Sequence, residues 1–489
     1  MFTGILSLIV FLPLGGVLII LLLSPNEAKQ SRYIALLASL ATLVLTLISV
    51  ARFDTGITDP QFVERYDWIP FLNVQYFFGV DGLSMPMVVL TALLSLVAVL
   101  ASWHITHRVR EYFIWLLVLQ TGVMGVFVSL DLIQFFLFWE VELIPMYLLI
   151  SMWGSGRREY SAMKFLIYTV GASAFMLVGI LLVGFAGGTF DMIELARSGQ
   201  EWIPNLFISA EGVFLLIIAA FAVKLPIWPF HTWLPDAHTD APTAVSVMLA
   251  GVMLKMGGYG IMRISLSLFP EVAEDVKTWL VALAVVNILY GAFVTLQQSD
   301  LKRLVAFSSI SHMGFVLLGL ASLNQVGFTG AALQMFVHGT ITGLLFFLVG
   351  LVYDRIHTRH IPDMGGLANR MPLIAVAFFI AGLASLGLPA TSGFVAELTV
   401  FLGAFEEWRA ATVLATLGIL LAAGYILWTM QRIMFGPPTT RFQHVGDAVP
   451  ADIAGASLLL APILIIGIYP AFITDIIREG VLPISNLYS

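Results

Sequence analysis

The sequence contains no cysteine, and its charged residues are scarce. The absence of cysteine excludes disulfide bonds and cysteine-ligated iron–sulfur clusters within this chain. Only 11% of the 489 residues are Asp, Glu, Lys or Arg, against roughly 25% in soluble domains. The sequence also lacks a Gly-rich nucleotide-binding loop. These deficits exclude a soluble nucleotide-binding enzyme and indicate that lipid surrounds much of the apolar surface.

Hydrophobic residues make up 59% of the chain and occur in runs of about 20 residues, each long enough to cross a bilayer as a helix. There are about fourteen such runs, the first near 2–23 and the last near 452–472. The alternation typical of membrane β-strands is absent. The sequence therefore predicts an all-α polytopic membrane protein with about fourteen transmembrane helices. The first run is too long for a signal-peptide core, so no cleavable signal is predicted.

The loops predict the orientation in the membrane. Lysine and arginine residues are about twice as frequent in the loops of one side as in those of the other. The positive-inside rule places both termini on the non-cytoplasmic side. We expect a multi-pass protein of the bacterial plasma (inner) membrane.

Two of the predicted spans contain proline in their interior. Pro226 and Pro229 lie near the end of one, and Pro389 lies inside another. Proline removes a backbone donor and breaks a helix. Each break is in the fourth span of a set of five. Because five is an odd number of spans, the second set enters the membrane from the side opposite to the first. The positions of the breaks therefore predict two inverted repeats. The expected divisions are 1–110 (spans 1–3), 111–270 (spans 4–8), 271–436 (spans 9–13) and 437–489 (span 14).

A row of ionisable residues is predicted deep inside the spans. An unpaired charge at the centre of a bilayer costs roughly 2.5–3.5 kcal/mol on insertion scales. Several such groups in a chain this apolar indicate a function. The function that we favour is a proton relay. The row comprises Glu140, Lys224, Lys255, His312, His338 and Glu397.

Each member also has a structural alternative. Glu140 and Lys224 could form a static ion pair that orients two helices. Lys255 could extend towards the membrane surface, and the two histidines could be neutral core residues. Glu397 could cap backbone amides freed by the second break.

Three further residues near the row have no single predicted role. Glu142 lies two residues from Glu140 and therefore faces the other side of a helix, so a structural or peripheral role is favoured for it. His231 and His238 lie in a Pro-rich stretch near the cytoplasmic surface. They could feed protons into the row or stabilise a turn, and a zinc site is disfavoured because the histidines lack a compact ligand set.

Four segments give the sequence a family resemblance. Residues 138–154, 224–238, 249–255 and 308–314 resemble the fifth-, seventh-, eighth- and tenth-helix signatures of the antiporter-like membrane subunits of complex I. Related subunits occur in multi-subunit cation/proton antiporters. Among these subunits, a glutamate at the position of Glu397 is typical of the M branch, and this sequence resembles that branch. The M branch includes subunit 4 of the mitochondrial complex and its photosynthetic counterpart. The paralogous branches carry lysine at this position.

The resemblance implies a role for each member of the row. Glu140 and Lys224 would be the coupling pair, and Lys255 the central relay. The two histidines would connect it to Glu397, the terminal site towards the outside. The second carboxylate, Glu142, is a departure that leaves open which carboxylate dominates the pair.

The implied function is proton translocation as a subunit of NADH:quinone oxidoreductase. No cofactor is expected in this chain; NADH (or ferredoxin), flavin, iron–sulfur clusters and quinone would belong to partner subunits. The expected partners are paralogous antiporter-like chains on either side and the lipid bilayer, without nucleic acid. The alternatives are a subunit of a sodium/proton antiporter and a membrane scaffold without transport.

Overall fold

The helices follow the predicted apolar runs. Within the described part of the chain, this computed structural model has twelve helices that are long and apolar enough to cross a membrane. Two further apolar segments are each interrupted near their prolines, which brings the described spans to fourteen. The residues described are 4–24, 27–437, 440–442 and 444–489.

The fourteen spans are numbered α1 to α14 in chain order, and the two broken spans are divided into a and b parts. The helical geometry of α5 is irregular at a single residue, Glu142. The spans are α1 (Ile5–Leu22), α2 (Ala28–Val50), α3 (Ser84–Ala101), α4 (Val109–Val128), α5 (Leu132–Trp153), α6 (Arg158–Gly187), α7a (Ala210–Lys224), α7b (Trp233–Asp240), α8 (Thr243–Leu266), α9 (Pro270–Leu296), α10 (Leu301–Leu320), α11 (Gln325–Ile356), α12a (Pro372–Ser385), α12b (Ser392–Glu407), α13 (Arg409–Met434) and α14 (Pro450–Ile468).

Both breaks have a local cause. The helix α7a ends at Lys224, directly before the stretch that holds Pro226 and Pro229. The helix α12a ends before Gly387, whose φ of 73° lies in the left-handed region that glycine adopts without strain. Each span therefore has irregular backbone partway along it, as the proline positions predicted.

The two sets of five helices share a local arrangement. A β-bridge joins Asp131, directly before α5, to Asp191, which follows α6. The corresponding bridge joins Asp300, directly before α10, to His360, which follows α11, at the same separation along the chain. In both sets the bridge connects the start of the second helix to the segment after the third. This recurrence supports the two predicted five-helix repeats.

The centre of the bundle lies at α8 and α11, whose apolar windows are entirely buried. Small residues bring these helices together. A Cβ on Gly339 of α11 would lie 2.6 Å from the carbonyl oxygen of Gly251 of α8. Such backbone contact brings a side chain of one helix within reach of the other.

Elements outside the spans were not predicted from the sequence, among them a short helix, Met192–Arg197, that follows α6. An antiparallel hairpin of β1 (Gln61–Ile69) and β2 (Val74–Val80) follows α2. An amphipathic helix, α15 (Ala471–Ser485), follows α14 and buries its apolar face against the bundle. Gly82 before α3 and Gly480 of α15 meet backbone to backbone. The predicted helical class is confirmed, with one small β-hairpin added.

Candidate functional site

Five members of the predicted row, together with Glu142, form one ion pair and one longer connected group. Lys224 contacts Glu142. Lys255 contacts His338, whose ring lies beside that of His312, and His312 in turn contacts Glu397. The side chains of both groups are buried. The elements that supply them are α5 and α7a for the pair, and α8, α10, α11 and α12b for the connected group.

Lys224 forms its ion pair with Glu142 rather than with Glu140. The sequence predicts Glu140 as the partner, and this prediction is wrong for the ion pair of Lys224. Residues two apart on a helix point in nearly opposite directions, and the face of α5 that meets α7a is the face of Glu142. Gly122 of α4 lets α5 approach closely, since a Cβ there would lie 3.0 Å from the Glu142 nitrogen. Packing between helices selects this face, and the sequence of α5 alone does not reveal it.

Aromatic rings enclose the ion pair. The Lys224 Nζ lies 5.2 Å from the centre of the Trp139 ring and 5.6 Å from that of Phe165. A cation over the face of an aromatic ring is stabilised electrostatically. One carboxylate oxygen of Glu142, Oε2, has no hydrogen-bond partner within the described residues. The pair therefore has a free acceptor in an otherwise apolar enclosure.

Glu140 lies on the opposite face of α5 and is partly exposed. Its Oε1 is buried without a hydrogen-bond partner in the part of the chain described. The neighbouring residues on this outward face, Leu137 and Ile144, are exposed and apolar. An acidic side chain on an apolar membrane-facing surface is costly unless another protein covers it.

Lys255 is fully buried and directed at α11. Its Nζ donates to the carbonyl oxygen of Ala250, in a turn of π-helix at Leu249–Met253, and lies 2.7 Å from His338 Nδ1. A π turn changes the backbone pairing of a helix and is frequent at functional sites. This geometry rules out the alternative that Lys255 extends to the membrane surface.

The connected group continues through two histidines to a carboxylate. The ring centres of His338 and His312 lie 5.5 Å apart, and His312 Nδ1 lies 3.5 Å from Glu397 Oε1. A cavity of about 10 Å³ lies among these groups and Ser385, Gln334 and neighbouring residues, close to the volume that holds one water molecule. Ser385 Oγ lies 3.3 Å from His312 Nε2. Lys255 and Glu397 are thus linked by contacts that a single water could complete.

Glycine at the second break makes room for the terminal carboxylate. A Cβ on Gly387 would lie 2.4 Å from Glu397 Oε2. The Glu397 carboxylate contacts His312, so its role is not the predicted alternative of capping freed amides. The break in α12 thereby places a carboxylate beside irregular backbone.

His231 and His238 lie apart from these contacts. His231 Nε2 is 3.2 Å from the hydroxyl of Tyr290. His238 is buried and stacks on Phe346 with ring centres 4.5 Å apart, and neither of its nitrogens has a partner among the residues described. Both interpretations of these histidines stay open.

Arg263 and Asn287 are two features of the buried polar interior that were not predicted from the sequence. The sequence places Arg263 among the basic residues of loops and span ends; in the structure it is buried near the end of α8 and donates to both oxygens of Asp81 at 2.5 and 2.6 Å. Asn287 of α9 was not predicted as a functional residue. It is fully buried and accepts a hydrogen bond from the Trp228 amide in the first break. A polar residue inside a predicted apolar span was the available signal for Asn287.

Comparison with protein families identifies the chain's relatives. Residues 129–422 match the family described as "NADH:quinone oxidoreductase/Mrp antiporter, TM". Residues 7–125 match "NADH-ubiquinone oxidoreductase chain 4, amino terminus". The chain belongs to this family of membrane subunits. The resemblance stated from the four segments is therefore confirmed.

Individual members of the NADH:quinone oxidoreductase/Mrp family match over nearly the whole chain. NADH-quinone oxidoreductase subunit M of Rhodobacter capsulatus is 42% identical, covering 98% of this chain and 96% of its own. NAD(P)H-quinone oxidoreductase chain 4 1 of Synechococcus sp. (strain JA-3-3Ab) is 43% identical, with 96% and 90% covered. A chain in the structure of respiratory complex I from Thermus thermophilus superposes with a TM-score of 0.88 at 27% identity, covering 99% and 100%. A chain of the Mrp complex from Dietzia sp. DQ12-45-1b has a TM-score of 0.87 at 22% identity, covering 100% and 97%, and shares the fold.

Proposed function

We propose that this chain is a proton-translocating membrane subunit of an NADH:quinone oxidoreductase and that its buried ionisable residues relay the protons. The contact series from Lys255 through His338 and His312 to Glu397 carries this proposal. Side chains that bind and release protons at spacings bridged by hydrogen bonds or one water provide a path through the membrane. The near full-length likeness to subunit M and chain 4 proteins supports the same assignment.

The Glu142–Lys224 pair is proposed as the element that loads the relay. Two unit charges about 4 Å apart attract by about 4 kcal/mol at an effective dielectric constant near 20. Moving one charge through about 150 mV costs roughly 3.5 kcal/mol. Opening and closing this one ion pair is therefore comparable to the work of moving a proton against the membrane potential. A small displacement of α7a relative to α5 suffices.

Glu140 is proposed to act at the boundary with a neighbouring chain. Its carboxylate lies on the exposed apolar face of α5 between Leu137 and Ile144. A paralogous antiporter-like chain that covers this face would supply a polar partner and remove the carboxylate from lipid. Glu140 would then connect the relay of this chain to that of its neighbour. The redox cofactors of the complex, NADH or ferredoxin, flavin, iron–sulfur clusters and quinone, are assigned to other subunits.

The division into repeats and the orientation in the membrane are part of the same proposal. The two relay repeats are 111–270 and 271–436, with 1–110 and 437–489 flanking them. Both termini lie on the non-cytoplasmic side of a bacterial plasma membrane, as the distribution of basic residues favours. Glu397 is then the terminal site towards the outside.

The decisive experiment replaces Lys224 in the assembled complex. In reconstituted vesicles we expect Lys224→Ala to reduce proton translocation to below about a tenth of the normal rate per complex, because the loading ion pair is lost. The control is Lys277→Ala, which removes a partly exposed lysine that pairs with Glu274 and Glu407 and should leave translocation unchanged. Normal translocation by Lys224→Ala would refute the proposal, and transport that needs sodium but no NADH would favour the antiporter alternative.

A further inference from the structure

The side chain of Asn287 forms hydrogen bonds with the backbone of the first break on both sides of Ile227. Its Oδ1 accepts from the Trp228 amide at 2.7 Å, and its Nδ2 donates to the Pro226 carbonyl oxygen at 3.2 Å. The Ile227 amide between them already donates to Ala222 of α7a at 2.8 Å. Asn287 therefore pairs the two neighbouring backbone groups that the interruption of α7 leaves open.

The same amide group reaches a third element. Asn287 Nδ2 also lies 3.3 Å from the carbonyl oxygen of Ile310 in α10. Ile310 is two residues before His312, and Pro226 is two residues after Lys224. One side chain thus connects the segment next to the ion pair with the segment next to the connected group.

The helices α9 and α10 form a firm support for Asn287. A Cβ on Gly291 would lie 2.6 Å from the Ser311 nitrogen, and one on Gly314 would lie 2.8 Å from the Ile288 nitrogen. Ser311 Oγ also donates to the Ile288 carbonyl oxygen at 2.8 Å. Helices in such close backbone contact move together, because a packed interface does not deform gradually. Asn287 ties the break of α7 to this unit.

We propose that Asn287 is a positioning residue that holds Lys224 in register with His312 and so couples the ion pair to the connected group. This inference rests on the proposed function. Unpaired backbone groups at membrane depth are costly, so the break keeps the conformation in which Asn287 satisfies both of its open groups. Movement of α9 and α10 is then transmitted to the end of α7a, where Lys224 lies.

The test compares variants of the assembled complex. Asn287→Leu has a similar size but makes none of the three hydrogen bonds. We expect proton translocation per complex to fall roughly tenfold, and amide hydrogen exchange of the 225–230 segment to become faster because the Trp228 amide loses its acceptor. Combined with Lys224→Ala, the Asn287 change should cause no further loss, since it acts through that lysine.

Asn324 provides a matched control. It also makes three hydrogen bonds, accepting from the Gly327 amide and donating to the carbonyl oxygens of Ser322 and Gly403. Asn324→Leu should reduce the amount of assembled complex without changing translocation per complex or exchange at 225–230. A comparable loss of translocation per complex in this variant would overturn the positioning role of Asn287.

The outcomes separate the inference from the proposed function. If Asn287→Leu translocates normally while Lys224→Ala does not, the inference is overturned and the proposed function stands. If Lys224→Ala itself translocates normally, both fail. Should Asn287→Leu not assemble, Asn287→Gln decides, because it retains the amide one methylene further out. Partial translocation with intermediate exchange supports the role, and normal translocation with fast exchange refutes it.

Discussion

The two repeats place an acidic and a basic side chain at matching places, in exchanged order. In the first repeat the acid, Glu142, lies on the second helix and the base, Lys224, on the broken fourth helix. In the second repeat the base, His312, lies on the second helix and the acid, Glu397, on the broken helix. The same scaffold therefore carries an acid–base contact twice, with the partners exchanged.

The surroundings of the two contacts also differ. Rings of Trp139 and Phe165 enclose the Lys224 end of the first pair, whereas a small polar cavity and further ionisable groups adjoin the second. A lysine–glutamate pair in an apolar enclosure changes energy steeply when it is separated. Under the proposed function, the His312–Glu397 contact beside His338 would pass a proton on. We therefore propose that the first repeat governs loading and the second governs conduction.

The largest expected effect is that of Glu142→Gln. This change leaves Lys224 buried without its counter-charge, and breaking a buried ion pair by removing one partner costs about 3–5 kcal/mol. We expect less assembled complex and a fall in proton translocation per complex of more than about tenfold. The measurement is proton uptake by reconstituted vesicles, normalised to the complex present in the membrane.

The control for this change is Glu407→Gln, which removes the acid of an exposed ion pair with Lys277 and should cost about 1 kcal/mol or less. If Glu142→Gln behaved like this control, the first pair would have no special role. The two repeats would then differ in the residues that form their acid–base contacts but not in what those contacts do.

The choice between Glu140 and Glu142 shows where prediction from sequence stops. The periodicity of a helix established that the two carboxylates face opposite sides. It does not state which side meets α7a, because that depends on how α4 and α5 pack at Gly122. The resemblance favoured Glu140, and the geometry assigns the ion pair to Glu142. Both carboxylates keep a proposed role, one towards Lys224 and one towards a neighbouring chain.

Most of the fold was predictable because long apolar runs and interior prolines are local signals. They gave the number of spans and the positions of both breaks. The contacts of Lys255 were not predictable, since they depend on a π turn and on the backbone approach of Gly339 to Gly251. The hairpin was not predictable from apolar runs and prolines, because its strands, Gln61–Ile69 and Val74–Val80, lie between two spans.

A smaller effect is expected for Gly387→Ala in the second repeat. The new Cβ would lie 2.4 Å from Glu397 Oε2, and the backbone φ of 73° is unfavourable for alanine by about 1–2 kcal/mol. Displacement of the carboxylate from His312 should lower translocation per complex about three- to tenfold. Gly188→Ala is the control for backbone strain. Gly188 has a φ of 67° with nothing within 4 Å of the added Cβ, so this variant strains the backbone without displacing a side chain. Equal losses in both variants would mean that the position of Glu397 does not limit conduction.

The smallest effect is expected for Ser385→Ala, which tests whether conduction tolerates small changes around His312. Ser385 Oγ lies 3.3 Å from His312 Nε2, and a long hydrogen bond contributes about 0.5 kcal/mol, or about twofold in rate. Ser309→Ala on α10 is the matched control, since Ser309 donates to the Val305 carbonyl oxygen of its own helix. Assembly should be normal for both, and translocation should fall about twofold for Ser385→Ala alone. A loss as large as that of Glu142→Gln would place the sensitive step in the second repeat and reverse the assignment of loading and conduction.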